Sequence, residues 1–382
     1  MLLVTLAEFI LYICFAILIG SLILLLVPEE KKPPVAIPKK ILYLVVGLIP
    51  IATFLPVLKM ANILSGENLE LWLILKNVIF TFEIGKSWLF ITFVSVILMI
   101  VLLNKNSTKK KHLIVWALVL ALSILLGYTQ SSHAATITEW KGFVFHTLHF
   151  LSVVVWIGIL FVVSWFGKNK TNWLAFIKWF TPVALTCLII TIVAGYFTMG
   201  IDINSNDDPS SSIVQDYQNS LLVNYGQALL LKHIFIISLV LFAFINGVLF
   251  WRKYDIESYN PLKWARLESM YALIVFGLTA FMGQSWPPHQ IYSLLKAEGA
   301  SPLFKALYDG EILSAYQEAQ SLAIFNVTMT FGFESFVLFG LGIVFLAITL
   351  FAAIARKSVF VSTLASLLMV VSLYAGIMIG VQ

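Results

Sequence analysis

Residues 131–166, "SSHAATITEWKGFVFHTLHFLSVVVWIGILFVVSWF", decide the fold. From 143 to 166 the stretch holds no Asp, Glu, Lys or Arg. At about 1.5 Å per residue, a helical run of that length crosses the hydrocarbon of a bilayer. It lacks the strict alternation of a lipid-facing barrel strand, so the span is a helix. Yet it carries His146 and His149, with His133 just ahead: three of the six histidines in the chain. Imidazoles are poorly suited to lipid, and ionisable groups kept inside a membrane mark function by default.

Runs of the same kind recur at about 6–27, 41–62, 78–103, 113–132, 143–166, 174–200, 225–251, 265–286, 322–354 and 359–380. The chain is 60% hydrophobic and 11% charged over 382 residues, with a mean hydropathy of +0.96, outside the range of water-soluble domains. The expected fold is therefore an all-α polytopic integral membrane helix bundle of about ten transmembrane helices. The ninth run is long, with a break or tilt expected near Gly332. The first lacks a basic lead and a small-residue cleavage site, so it reads as a retained helix. Cys14 and Cys187 fall inside spans and read as buried small side chains, not a disulfide.

Cations fix the expected orientation. Lys31, Lys32, Lys39 and Lys40 fill the first loop; Lys105, Lys109, Lys110 and Lys111 the third; Lys168 and Lys170 the fifth. Arg252, Lys253 and Lys263 fall in the seventh, Arg356 and Lys357 in the ninth. The sixth, "IDINSNDDPSSSIVQDYQNS" at 201–220, has four aspartates and no lysine. Odd loops are thus expected in the cytoplasm and both termini outside, in a multi-pass protein of the cytoplasmic membrane. The net charge of +5 is this topology signal and implies no nucleic acid; the partner is the lipid bilayer.

Short internal matches suggest duplication. "GYTQSSHA" (127–134) resembles "FMGQSWPPH" (281–289), "TFEIGKSWLF" (81–90) resembles "VNYGQALLLK" (223–232), and aligning Gly20 with Gly158 sets Glu8 opposite His146. This reads as a four-helix unit at 1–135, a second at 136–290 carrying the histidines, and an addition at 291–382 of an extracellular loop and two helices. Repeat interfaces are where transporters place their sites.

His146 and His149 share a helix face, and His133 ends the preceding run on the same side. Neutral imidazoles suit copper or zinc, and nearby thioethers tilt the choice towards Cu(I). His289, at the repeat-related position, and the thioethers of Met199 and Met282 complete the candidate metal set. A water- or backbone-satisfied histidine pair, and methionines that only pack, are the plainer alternatives. Glu83 and Lys86 are expected to pair, and Lys232 to find Glu334 or Glu83. Glu8 is an entry carboxylate or a solvated one. Hydrolase, phosphate-loop, zinc-protease and C-x-x-C motifs are all missing, so the chain does not read as an enzyme.

"SSHA", "HTLHFLSVVVWIG", "NYGQALLLKH" and "WARLES" together resemble the CopD family of bacterial copper-transport and copper-resistance membrane proteins. The resemblance runs over most of 75–286 and is strongest from Gly127 to Gly158; the family's usual W-x-G-G reads Trp156-Ile157-Gly158-Ile159 here. It implies a carrier that moves copper across the cytoplasmic membrane, beside a separate CopC-type copper-binding protein. The family histidine ahead of W-x-G maps onto His149. Two other readings fit the same residues: a haem-bearing electron-transfer protein, and a copper-delivery factor for oxidase assembly.

Overall fold

The computed structural model describes residues 2–66, 70–204, 211–247, 260–307, 326–355 and 358–382. Among the described residues, ten helices are long and apolar enough to cross a membrane: α1 Leu2–Leu26, α2 Lys39–Ser65, α3 Glu83–Leu103, α4 Lys111–Gln130, α5 Trp140–Phe166, α6 Trp173–Ile203, α7 Asn224–Gly247, α8 Pro261–Gln284, α9 Phe333–Ile354 and α10 Val359–Ile379. The protein is an all-α multi-pass membrane bundle, as its composition implies. Exposed Phe93, Ile100, Trp116, Ile192 and Phe351 give the spans their lipid-facing surface, because inside a bilayer only backbone polar groups need internal partners.

One boundary differs from the sequence reading and another agrees with it. The run expected to open at 78 is broken at Phe82, whose extended backbone separates a short helix, Leu71–Thr81, from α3. The long ninth run is interrupted where expected: Gly332 is extended, and α9 begins only at Phe333. Arg252, Lys253, Arg356 and Lys357, four of the cations used for orientation, lie outside the described residues.

The chain forms two compact units, Met1–Ile201 with Asn260–Ser269, and Asp202–Tyr259 with Met270–Gln382. In the first, α1 and α5 cross at Gly20 and Gly158. A Cβ on Gly20 would stand 2.2 Å from the Gly158 carbonyl oxygen, and one on Gly158 2.5 Å from that of Ala16. Small residues permit this approach between membrane helices. The odd loops of this unit share one face. Lys39 Nζ donates to the Asn104 and Lys105 carbonyls at 3.1 and 3.0 Å, and Ala36 N–H and Lys168 N–H pair the first loop with the fifth. Buried Lys32 donates to Leu24 O at 2.6 Å and pairs with Glu29 at 3.0 Å, placing a cation where the α1 dipole ends.

In the second unit the α9–α10 hairpin is held to α7 by polar pairs. Ser366 donates to Ser238 at 2.8 Å, Tyr374 donates to Gln227 Oε1, and Gln227 Nε2 reaches Met378 Sδ at 3.6 Å. Interhelical hydrogen bonds of this kind supply specificity that lipid, as apolar as the side chains, does not.

The starts of three spans, two in the first unit and one in the second, have a pattern of their own. Three odd spans begin against a short helix: α3 against Leu71–Thr81, α5 against His133–Thr138 and α7 against Ile213–Ser220. Each carries glycine as its third residue, packed on that helix. A Cβ on Gly85, Gly142 or Gly226 would lie 2.1, 1.8 or 2.1 Å from a carbonyl of Val78, Ala134 or Ser220. Gly142 therefore docks the short helix that begins with His133 on the first turn of the helix bearing His146 and His149.

Candidate functional site

α1 and α5 run side by side in parallel register. Phe150 packs on Tyr12 at 5.4 Å and on Phe15 at 5.5 Å between ring centroids, two turns from where Gly158 meets Ala16 and Gly20. Counting back twelve residues from Gly20 and from Gly158 reaches Glu8 and His146, so carboxylate and imidazole stand at one level near the helix starts. Glu8 is not simply solvated. Its Oε1 accepts from Tyr12 OH at 2.6 Å and from Tyr128 OH at 3.0 Å, and charge-assisted bonds of that kind are the stronger ones. The His146 ring lies nearly parallel to Phe150, 13° between planes at 6.4 Å. Tyr12, Phe15, Tyr128 and Phe150 close the space below it between α1, α4 and α5.

His149 turns to a different neighbour, α6. Its Nδ1 lies 2.9 Å from the Thr191 carbonyl oxygen. A carbonyl only accepts, so Nδ1 carries the proton and the ring lone pair is on Nε2. Metal-binding histidines are oriented in this way, by a carbonyl or carboxylate on the nitrogen away from the metal. Gly195 makes the room: a Cβ there would sit 2.9 Å from the ring. One turn deeper along α6, Cys187 is buried, while Thr191 Oγ1 and Trp156 Nε1 are buried without a hydrogen-bond partner. The α1/α4 side of His146 is thus sealed by aromatic rings. The α6 side of His149 continues inward with a thiol and two unsatisfied polar atoms.

His133 is the exposed first residue of its short helix, whose N-cap is Ser132. The structure does not gather the three imidazoles into one cluster: among the described residues no group of three or more His, Cys, Asp or Glu is arranged to hold a metal ion. Half-buried Met199 lies on α6, one turn beyond Gly195.

The remaining candidates belong to the second unit. His289 follows the end of α8, and its Nδ1 donates to the Asn204 carbonyl at 3.0 Å, which again leaves the lone pair on Nε2. Met282 Sδ lies 4.0 Å from Lys232 Nζ. Lys232 does not seek Glu334 or Glu83: Glu83 is taken by Lys86 at 2.9 Å, as expected, and the carboxylate near Lys232 is Asp202. Asp202 lies in the last turn of α6, one of four aspartates in the acidic stretch 201–220. The neighbouring His233 holds its Nδ1 3.1 Å from the Tyr217 hydroxyl.

Residues 1–143 match the family model described as Copper resistance protein D-like, N-terminal domain. The first 143 residues are thus similar to a CopD-like N-terminal domain. This is the family that the sequence motifs resemble. The CopD-like domain includes Glu8, Tyr12, Tyr128 and His133 and ends at the start of α5; His146, His149, His289, Met199 and Met282 lie beyond it. No curated protein and no solved structure matches the chain.

Proposed function

We propose that this protein carries copper inward across the cytoplasmic membrane, with Cu(I) captured at the outer end of α5. His146 and His149 are the primary ligands in this reading. His133 stands on the short helix docked on Gly142, Glu8 supplies negative charge at the level of His146, and Met199 serves as a further ligand on α6, while His289 and Met282 are copper ligands of the second unit. The observation that carries the proposal is the His149 ring, its Nδ1–H held by the Thr191 carbonyl so that Nε2 presents a lone pair. The CopD-like domain supports copper as the cargo. The lysines of the first, third and fifth loops support the orientation, since cations favour the cytoplasmic side and these loops share a face. Below the capture level the ion follows α5 and α6 past Thr191 and Cys187, because the aromatic plug closes the α1/α4 side. The donor of copper in this reading is a separate CopC-type protein.

Full-length protein in liposomes, with a Cu(I) indicator enclosed, tests this directly. Uptake faster than in protein-free liposomes, and faster from the side of the even loops, is the expected result. Tight binding with no faster uptake would instead make the protein a copper-delivery factor and overturn the carrier reading.

A further inference from the structure

Lys232 lies eight residues into α7, about 12 Å from its start, where a charged side chain is costly unless paired. Side chains lean towards a helix N-terminus, so the ammonium rises along α7 to the level of the last residues of α6 and α8. It meets two groups there. The Met282 thioether at 4.0 Å is only a weak acceptor and is a poor partner for an ammonium. Asp202 is the other, close enough to interact electrostatically although the two make no direct ion pair within 4.0 Å. Asp202 Oδ2 accepts from Tyr225 OH at 3.4 Å. Its Oδ1 is buried and makes no hydrogen bond, an arrangement that folded proteins rarely leave. The Asp202 carboxylate and the Met282 thioether are thus the neighbours of a single +1 charge on a flexible stem, and neither forms a close ion pair or a strong hydrogen bond with it.

We propose that Asp202, Tyr225 and Met282 form a second cation site within the membrane, held in the empty protein by the Lys232 ammonium, which a soft monovalent cation displaces. This rests on the copper reading for the identity of the cation, Cu(I), and adds a site that the capture histidines do not share. A monovalent ion replaces the ammonium charge for charge against Asp202, while the thioether prefers a soft ion to a hard one. Lysine remains protonated and swings outward along α7 towards the headgroups, as long cationic side chains do near helix ends. Occupancy is then a competition, and Lys232 keeps Asp202 from standing uncompensated between one cation and the next.

The test uses full-length protein in lipid nanodiscs and Ag(I), a redox-inert probe for Cu(I). In a His146→Ala/His149→Ala background, Lys232→Gln is expected to tighten Ag(I) binding on the order of tenfold, because the competing charge is gone. Adding Asp202→Asn or Met282→Leu is expected to remove the gain. The neutral pair Lys232→Gln/Asp202→Asn serves as the folding control and should melt near the wild-type temperature. If Lys232→Gln lowers the melting temperature but leaves Ag(I) affinity unchanged, Lys232 is only a structural counter-ion and the proposal is overturned. Histidine-dependent Ag(I) binding in the otherwise wild-type chain would then still stand. Conversely, a gain that depends on Asp202, in a protein whose binding is indifferent to His146 and His149, would retain this site and remove the capture site.

Discussion

Purified full-length protein carrying His146→Ala and His149→Ala is expected to lose copper affinity by at least about a hundredfold. The two side chains are three residues apart on α5 and border adjacent directions, one stacked on Phe150 and the other fixed by Thr191. An ion held between them draws on both, so removing both leaves only weaker donors at that level. The orienting bond to Thr191 makes the loss large: a ring already in the correct tautomer loses little freedom on binding. Protonation gives the same result by another route. An imidazolium has no lone pair for a metal, so binding is full where the rings are neutral and weakens as acid protonates them. Copper titrations of wild type and variant at pH 7.5 and pH 5.5 check both statements. Equal affinity of the two proteins at pH 7.5 would remove these histidines from the site.

Gly158→Leu should separate α1 from α5. A Cβ on Gly158 meets the Ala16 carbonyl oxygen at 2.5 Å and a Gly20 nitrogen at 3.2 Å, and main-chain atoms do not swing aside as a side-chain tip does. The helices must part or slide, which costs on the order of 3 kcal/mol. The damage extends to the site. Glu8 and His146 are level only because Gly20 and Gly158 set the register of the crossing, so copper binding should fall along with the melting temperature in detergent. Gly47→Leu is the control. Nothing lies within 4 Å of a Cβ at Gly47, and that variant should keep both the melting temperature and copper binding. Loss of binding in Gly47→Leu equal to that in Gly158→Leu would show that the crossing has no special part.

The spans were readable from sequence because a run without charged residues, as long as a bilayer is thick, has few alternatives. Pairing between neighbours in sequence was readable for a similar reason: Glu83 and Lys86 are one turn apart on a single helix and meet without help from the rest of the fold. The break at Phe82 was not readable, since apolar residues continue through it and only the packing of Gly85 on Val78 reveals the turn. Partners from distant helices were also hidden. Nothing in the spacing of Tyr12 and Tyr128 tells that both donate to Glu8, or that Gly195 clears space for His149. Lys232 shows the limit most clearly. Its charge demanded a carboxylate, but the sequence offered several, and Asp202 was hidden among the aspartates of the sixth loop. The histidine pair was legible as a motif. The direction of each ring was not, because it depends on α6 for His149 and on Phe150 for His146.

The account depends most on a metal ion between His146 and His149 at the outer end of α5. Anomalous scattering at the copper edge from crystals of the loaded full-length protein tests it most directly. The account predicts a peak within coordination distance of His149 Nε2 and the His146 ring, beside Glu8 and above the Tyr12–Phe150 layer. Copper density found only at other positions, with these two rings unchanged, would contradict it.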